Sequence, residues 1–111
     1  MIQRDNLATF QLQLLTKIID VNKFPFTKIV IENNVTEEEY NQIFMLLEKI
    51  DFEYIEQKQE GLLDFSSLLA KFRSLLTEKL EPTKTIYALR KEGCFIELLD
   101  EFISIIKKDG L

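Results

Sequence analysis

Apolar residues recur along this chain at intervals of three and four positions, the spacing that places side chains on one face of an α-helix. The pattern is strongest between residues 36 and 60. One face there carries Tyr40, Ile43, Leu47, Ile50 and Tyr54, and its flanks carry Phe44, Met45, Leu46, Phe52 and Ile55. Thr36 and Glu39 have the spacing of a capping box, which satisfies free backbone N–H groups at a helix start. We therefore predict a central helix over 36–60, covered by other helices on several sides.

The first helix is predicted over residues 6–21, with Asp5 or Asn6 as its N-cap. It carries two adjacent apolar stripes. The first stripe consists of Leu7, Phe10, Leu14, Ile18 and Val21, and the second consists of Ala8, Leu12, Leu15 and Ile19. Together they form an apolar face that is wider than a single helix contact needs.

A corner follows at Phe24-Pro25-Phe26, because proline restricts its own backbone and that of the residue before it. We expect both Phe side chains to pack there. Pro25 suits the first position of a second helix, over 25–33, which Asn33-Asn34 would end in a left-handed turn. The β-branched run Ile29-Val30-Ile31 also suits a strand, but a lone strand would leave its backbone groups unpaired. We therefore predict a helix.

Gly61 is the predicted stop of the central helix, and Asp64 the predicted cap of a fourth. Leu63 and Leu68 have the spacing of a hydrophobic staple across that start. The apolar face of this helix carries Phe65, Leu68, Leu69, Phe72, Leu75, Leu76 and Leu80. Glu81-Pro82 then ends the fourth helix and opens the next.

Two further helices are predicted, over 82–91 and 95–108, with Gly93 as the stop between them. Their inward positions are Ile86, Tyr87 and Leu89, followed by Phe95, Leu98, Leu99, Phe102, Ile105 and Ile106. The predicted fold is all-α, a single multihelical bundle of five to six helices around the central helix 36–60. With 111 residues, 46% of them apolar, the chain fits one domain over 1–111.

The net charge of −5 disfavours polyanionic partners, so we expect neither nucleic acid nor a membrane surface to bind. The single Cys cannot form an internal disulfide, so nothing in the sequence calls for an oxidising compartment. The N-terminus lacks the apolar core of a signal peptide, and no apolar run is long enough to span a bilayer. We therefore expect a cytoplasmic protein.

Few residues suggest chemistry. The sequence has no His and no phosphate-binding glycine loop, which excludes the common nucleophile pairs and zinc motifs. Cys94 follows the Gly93 stop, and without a His to activate it we interpret it as a small buried apolar residue. Two acidic groups at helical spacing are candidates for a Mg²⁺, Mn²⁺ or Ca²⁺ site, although such groups are more typical of a solvated face. They are Glu97, Asp100 and Glu101, and Glu53, Glu56 and Glu60.

The helices at 25–33 and 36–60 also have the spacing of a helix-turn-helix. Its second helix would enter the DNA groove with Thr36 and three glutamates foremost, which the phosphates would repel. A basic surface would have to come from elsewhere in the chain. The second half offers mainly Lys71, Arg73, Arg90, Lys91, Lys107 and Lys108 for it.

Several stretches resemble the YhaI-like family, small all-helical proteins of unknown function from spore-forming Gram-positive bacteria. They are IDVNKFPF at 19–26, VTEEE at 35–39, LTEKLEP at 76–82 and TIYAL at 85–89. The order of helices matches over nearly the whole chain. The resemblance implies a multihelical bundle that self-associates, and it transfers no catalytic residues.

We therefore predict a non-enzymatic helical interaction protein without catalytic, metal or cofactor-binding residues. It is expected to form a homo-oligomer, a dimer first and a trimer next, because its apolar faces exceed what one small bundle buries. An unidentified protein partner also fits these faces. The alternatives are a small nucleic-acid-binding regulator and a carboxylate-based metal-dependent enzyme, the latter requiring acidic residues with perturbed pKa values in one cleft.

Overall fold

The computed structural model describes the backbone of residues 2–110 and the side chains of residues 6–110. This part of the chain forms six α-helices and no β-strand, which confirms the predicted all-α bundle. The helices are α1 (Ile2–Leu15), α2 (Pro25–Glu32), α3 (Glu37–Gln59), α4 (Ser66–Leu75), α5 (Pro82–Lys91) and α6 (Ile96–Lys108). A short 3-10 helix, Val21–Lys23, lies between α1 and α2.

The core is formed by the inner faces of α2 to α6. Helix α5 packs against α2 and α6, while α4 packs against α3 and α6. The fully buried large side chains are Phe26, Leu47, Ile50, Phe72, Ile86, Leu89, Leu98, Leu99, Phe102 and Ile106. Most of them occupy positions that the apolar pattern predicts to be inward.

Phe26 joins α2 to α3 through aromatic contacts. Its ring lies 5.8 Å from that of Phe44, edge to face, and 6.1 Å from that of Tyr40. Edge-to-face pairs at such distances stabilise a core beyond the apolar area that they bury. One half of the predicted Phe-Pro-Phe corner is therefore confirmed.

Phe24, the other half, has 48% of its side chain exposed, so its predicted packing at the corner is wrong. Phe24 precedes the first residue of α2 and has a non-helical backbone (φ −129°, ψ 59°). Only Phe26 lies within the helix, on the face that α2 turns towards the core.

The capping box at the start of α3 is confirmed. Thr36 Oγ1 accepts a hydrogen bond from Glu39 N at 3.1 Å, and Glu39 Oε1 accepts one from Thr36 N at 2.9 Å. Lys79 Nζ donates to the same carboxylate at 2.7 Å and to the Asn34 carbonyl at 2.9 Å. The hydrogen bond from Lys79, followed by that from Thr36, lowers the pKa of Glu39 to about 2.

Helix α3 buries one face and exposes the other. Ile43, Leu47, Ile50 and Tyr54 face the core, whereas Met45 is 67% exposed and Phe52 is 63% exposed. The predicted cover on several sides of this helix is therefore not observed. The short helix α4 contacts α3 on one side, so the bundle packs along a single face of α3.

The first helix ends earlier than predicted, at Leu15 instead of residue 21, and Asp5 and Asn6 lie inside α1 rather than capping it. Local hydrogen bonds explain the early end. Thr16 Oγ1 donates to the Gln13 carbonyl at 2.6 Å, and the Asp20 carboxylate caps the 3-10 helix through Asn22 N. Such side-chain bonds offer the backbone an alternative to the α-helix.

The predicted staple between Leu63 and Leu68 is also wrong, because Leu63 is 91% exposed. Helix α4 begins at Ser66, one residue later than an Asp64 cap implies, and Phe65 is the residue at its N-cap. Asp64 Oδ1 still accepts a hydrogen bond from Ser66 N at 2.9 Å. The Phe65 ring packs 4.8 Å from that of Tyr54 and covers the helix start instead.

Two other positions that were predicted to face inward are exposed, Leu75 and Tyr87. Leu75 is the last residue of α4, so the predicted end of this helix at Glu81-Pro82 is wrong; Leu76 and Leu80 lie beyond the helix and are buried, as predicted. Tyr87 lies between the buried residues Ile86 and Ala88 of α5 and points outward.

We predict that Phe26→Ala lowers the free energy of unfolding by about 3–5 kcal/mol, because it removes a buried ring from the contact between α2 and α3. Phe52→Ala is the matched control, since it removes the same side chain from an exposed site on α3, and should change stability by less than about 1 kcal/mol. Urea denaturation followed by circular dichroism measures both. Equal effects of the two variants would contradict the assignment of Phe26 to the core.

A second prediction concerns the pH dependence of stability. The folded pKa of Glu39, about 2, lies below its ordinary value of 4.5. The ionised Glu39 carboxylate therefore stabilises the folded state fully above about pH 4.5, and this stabilisation is lost as the pH falls towards 2. Glu39→Gln retains a capping side chain but not the charge. The difference in stability between wild type and variant should therefore shrink between pH 5 and 2, as measured by urea denaturation at each pH. A difference that is independent of pH would contradict the Lys79–Glu39 contact.

Candidate functional site

The molecule is elongated and exposes more surface than a compact protein of its mass. Its radius of gyration is 16.3 Å, compared with about 13 Å expected for 111 residues. Its accessible surface is 7927 Å², compared with about 6,400 Å² expected for a monomer of 13.1 kDa. The excess is on the order of 1,500 Å².

Exposed side chains are concentrated at the N-terminal end. Every side chain from residue 6 to residue 20 is exposed, in α1 and in the turn that follows it. The exposed large apolar ones are Leu7, Phe10, Leu12, Leu14, Leu15, Ile18 and Ile19. Monomeric proteins rarely expose contiguous apolar patches beyond a few hundred Å². The N-terminal end is therefore the candidate functional surface of this protein.

An open apolar groove of about 700 Å³ lies between α1 and α2, and we call it the N-terminal groove. One wall is the second stripe of α1 with its continuation, and the other is the outer face of α2 with the residues before it. The apolar lining consists of Leu12, Leu15, Ile19, Val21, Phe24 and Ile31. Thr16, Thr27, Lys28 and Glu32 provide its polar edge.

The part of the first stripe that lies within α1 does not line this groove. Leu7, Phe10 and Leu14 are about half exposed and do not line it. Residues that differ by one or two positions from the groove-lining ones are rotated by 100–200° around a helix of 3.6 residues per turn. Helix α1 therefore presents two apolar surfaces in different directions, one towards the groove and one towards solvent.

The charge around this surface is nearly balanced. Between residues 6 and 35 the chain carries three lysines, Lys17, Lys23 and Lys28, and two acidic residues, Asp20 and Glu32. Residues 36–110 carry ten basic and sixteen acidic side chains and hold the negative charge of the protein. The candidate surface is thus the part of the molecule where a second copy meets the least repulsion.

Three of the six carboxylates considered for a metal pair with basic side chains. Glu53 accepts two hydrogen bonds from Lys71, at 2.8 and 3.0 Å, and Asp100 accepts one from Arg90 Nε at 2.6 Å. Glu97 pairs with Lys58. Among the described residues, no three acidic, Cys or His side chains converge in an arrangement that could hold a metal ion.

Asp51, on α3, has a perturbed pKa. Burial, and then the charge of Glu97, raise the pKa of Asp51. Burial also raises the pKa of Tyr54, and Lys58, which lies 5.6 Å from the centre of the Tyr54 ring, opposes that shift. The hydrogen bond to Glu97 raises the pKa of Lys58 itself. The arrangement ties the end of α3 to the start of α6.

Cys94 is half-buried, packed against the core at the start of α6. Burial, and then the charge of Glu92, raise the pKa of its thiol. A raised pKa reduces the thiolate fraction and therefore the nucleophilicity of the sulfur. The environment of Cys94 is that of a packing residue.

The start of α3 is acidic, as the sequence predicts, and this opposes the helix-turn-helix interpretation. Glu37, Glu38 and Glu39 occupy the first turn of α3. Of the basic residues considered for a nucleic-acid surface, Lys71 is paired with Glu53 and Arg90 with Asp100.

No helix in the described part of the chain combines the length and the apolar character that crossing a bilayer requires. The apolar surface at the N-terminal end is divided between two short helices, α1 and α2.

The sequence predicted part of the candidate surface and missed the rest. The two stripes of α1 were recognised as an excess of apolar area, but the groove and the part that Phe24 plays in it were not. The available signal was Phe24 itself, a large aromatic residue directly before a helix-starting proline, where no helical face directs it into the core.

The sequence of the chain can be compared with known protein families. Residues 1–107 match the DUF1878 family, described as a protein of unknown function. The match covers nearly all of the chain, including α1, α2 and the groove between them. We conclude that this protein belongs to the DUF1878 family.

Proposed function

We propose that this protein is a non-enzymatic helical interaction protein that self-associates through its N-terminal end. The observation that carries the proposal is the exposure of every side chain of residues 6–20, many of them large and apolar. An apolar surface of this size is stabilised by burial against another surface at roughly 25 cal/mol per Å².

The stability of α1 supports the same proposal. Helices shorter than about 12–15 residues are marginal in water without tertiary packing. Helix α1 has 14 residues, and its described side chains are exposed. A partner surface would supply the packing that the helix lacks within its own chain.

A second copy of the chain is the simplest partner, arranged about a two-fold axis, because cyclic dimers are by far the commonest homo-oligomers. A trimer is the next arrangement, and a further protein partner fits the same surface. As part of the proposal, the chain acts as one domain over 1–111 in the cytoplasm and needs no cofactor. The stretches at 19–26 and 76–82 support placing it with the YhaI-like proteins of spore-forming bacteria within its family.

The first test measures molar mass by light scattering coupled to size exclusion at micromolar concentrations. We expect twice the chain mass of 13.1 kDa, or three times for a trimer. The double variant Phe10→Asp, Leu14→Asp should lower the mass to that of one chain, because it places two charges on the first stripe of α1. Met45→Asp is the control, since it adds the same charge to an exposed apolar site on α3 and should leave the mass unchanged.

A wild-type mass of 13.1 kDa that does not grow with concentration would contradict self-association. Circular dichroism of each variant separates loss of assembly from loss of fold. The core of α2 to α6 contains none of the substituted side chains, so its unfolding transition should remain.

A further inference from the structure

The N-terminal groove has walls from two helices and nothing of its own chain between them. We propose that it receives helix α1 of a second copy, and that the exchange is reciprocal, so that α1 and α2 of two chains form a four-helix bundle. The inference rests on the proposed self-association and adds to it the surface, the occupant and the contacts.

The two stripes of α1 provide the first support. A helix that lies between two others in a bundle needs two apolar faces, one for each neighbour. In the reciprocal arrangement, the groove-lining stripes of the two α1 helices contact each other. The first stripe, with Leu7, Phe10 and Leu14, then contacts α2 of the partner copy. Both apolar surfaces of α1 are used, and they are used in different contacts.

The outer face of α2 provides the second support. Phe26 faces the core, whereas Ile31 is 49% exposed and lines the groove together with Phe24. Residues 26 and 31 are five positions apart and therefore lie about 140° apart around the helix. Helix α2 thus has one apolar face for its own bundle and a second for the groove.

The dimensions fit a helix better than a single side chain. The groove has a volume of about 700 Å³ and is open to solvent. One partner of a standard protein interface contributes about 800 Å². The molecule exposes about 1,500 Å² more than a compact monomer, which is enough surface for a contact of that size.

Charge also favours a second copy as the occupant. The groove edge carries Lys28 and Glu32, one side chain of each sign, one turn apart on α2. The incoming α1 segment has Lys17 beyond its end and no acidic side chain between residues 6 and 19. The two surfaces therefore meet without a concentration of like charge, while the acidic remainder of each chain stays apart.

The test compares Ile31→Asp with Met45→Asp in the full chain. Both add one carboxylate at an exposed apolar site, but only Ile31 lies in the groove. We expect Ile31→Asp to weaken self-association about 30-fold or more, because the carboxylate would be buried unpaired at the interface. Met45→Asp should retain the wild-type association constant. Sedimentation equilibrium measures both, and circular dichroism should show wild-type helicity for Met45→Asp.

The outcomes separate the two proposals. A wild-type chain that stays monomeric overturns the proposed function and this inference with it. A wild-type oligomer whose association Ile31→Asp leaves unchanged overturns the groove assignment alone, and self-association then uses another surface. Equal weakening by Ile31→Asp and Met45→Asp also overturns the groove assignment.

A cross-linking measurement identifies the occupant directly. Cys94→Ser provides a background without cysteine, since Cys94 is the only one. In that background, chains with Leu14→Cys are mixed with chains with Ile31→Cys, exchanged and oxidised. We expect a disulfide between the two different chains, identified by mass spectrometry of the joined peptides. Leu14→Cys mixed with Phe52→Cys is the control pair. No cross-link to Ile31, or one no stronger than to Phe52, overturns the inference.

Discussion

The position of α2 depends on Phe26, and the candidate surface depends on the position of α2. The buried Phe26 ring holds the helix against Phe44 and Tyr40 of α3. The Glu92 carboxylate, at the end of α5, accepts a hydrogen bond from Thr27 N at 2.8 Å and so satisfies a free N–H at the start of α2. These contacts direct one face of α2 into the core and leave Ile31 in the groove.

The ends of α2, α3, α5 and α6 could be predicted closely, because they are encoded locally, whereas α4 ends at Leu75 and not at the predicted Glu81-Pro82. Pro25 and Pro82 begin α2 and α5, Thr36 with Glu39 begins α3, and the left-handed backbone at Gly93 (φ +83°) ends α5. The end of α1 could not be predicted in this way. Its apolar spacing continues past Leu15, whereas local hydrogen bonds of Thr16 and Asp20 stop the helix. Periodicity alone does not reveal that competition.

The candidate surface was predicted only as an excess of apolar residues. The stripes of α1 follow from spacing, but their direction depends on the angle between α1 and α2. That angle is a tertiary feature, which sequence spacing does not contain. The acidic groups themselves can be recognised in the sequence, but their partners cannot. Glu53, Glu97 and Asp100 pair with lysine or arginine side chains that no local pattern predicts.

The weakness of α1 as an isolated helix connects its folding to the proposed assembly. A helix of 14 residues whose described side chains are all exposed is marginal, and a partner that binds only its helical form stabilises that form by mass action. The core of α2 to α6 does not need this help, because its large side chains are buried within one chain. In the proposed assembly, α1 would therefore become more ordered as the protein concentration rises, whereas the bundle of α2 to α6 would be folded with or without a partner.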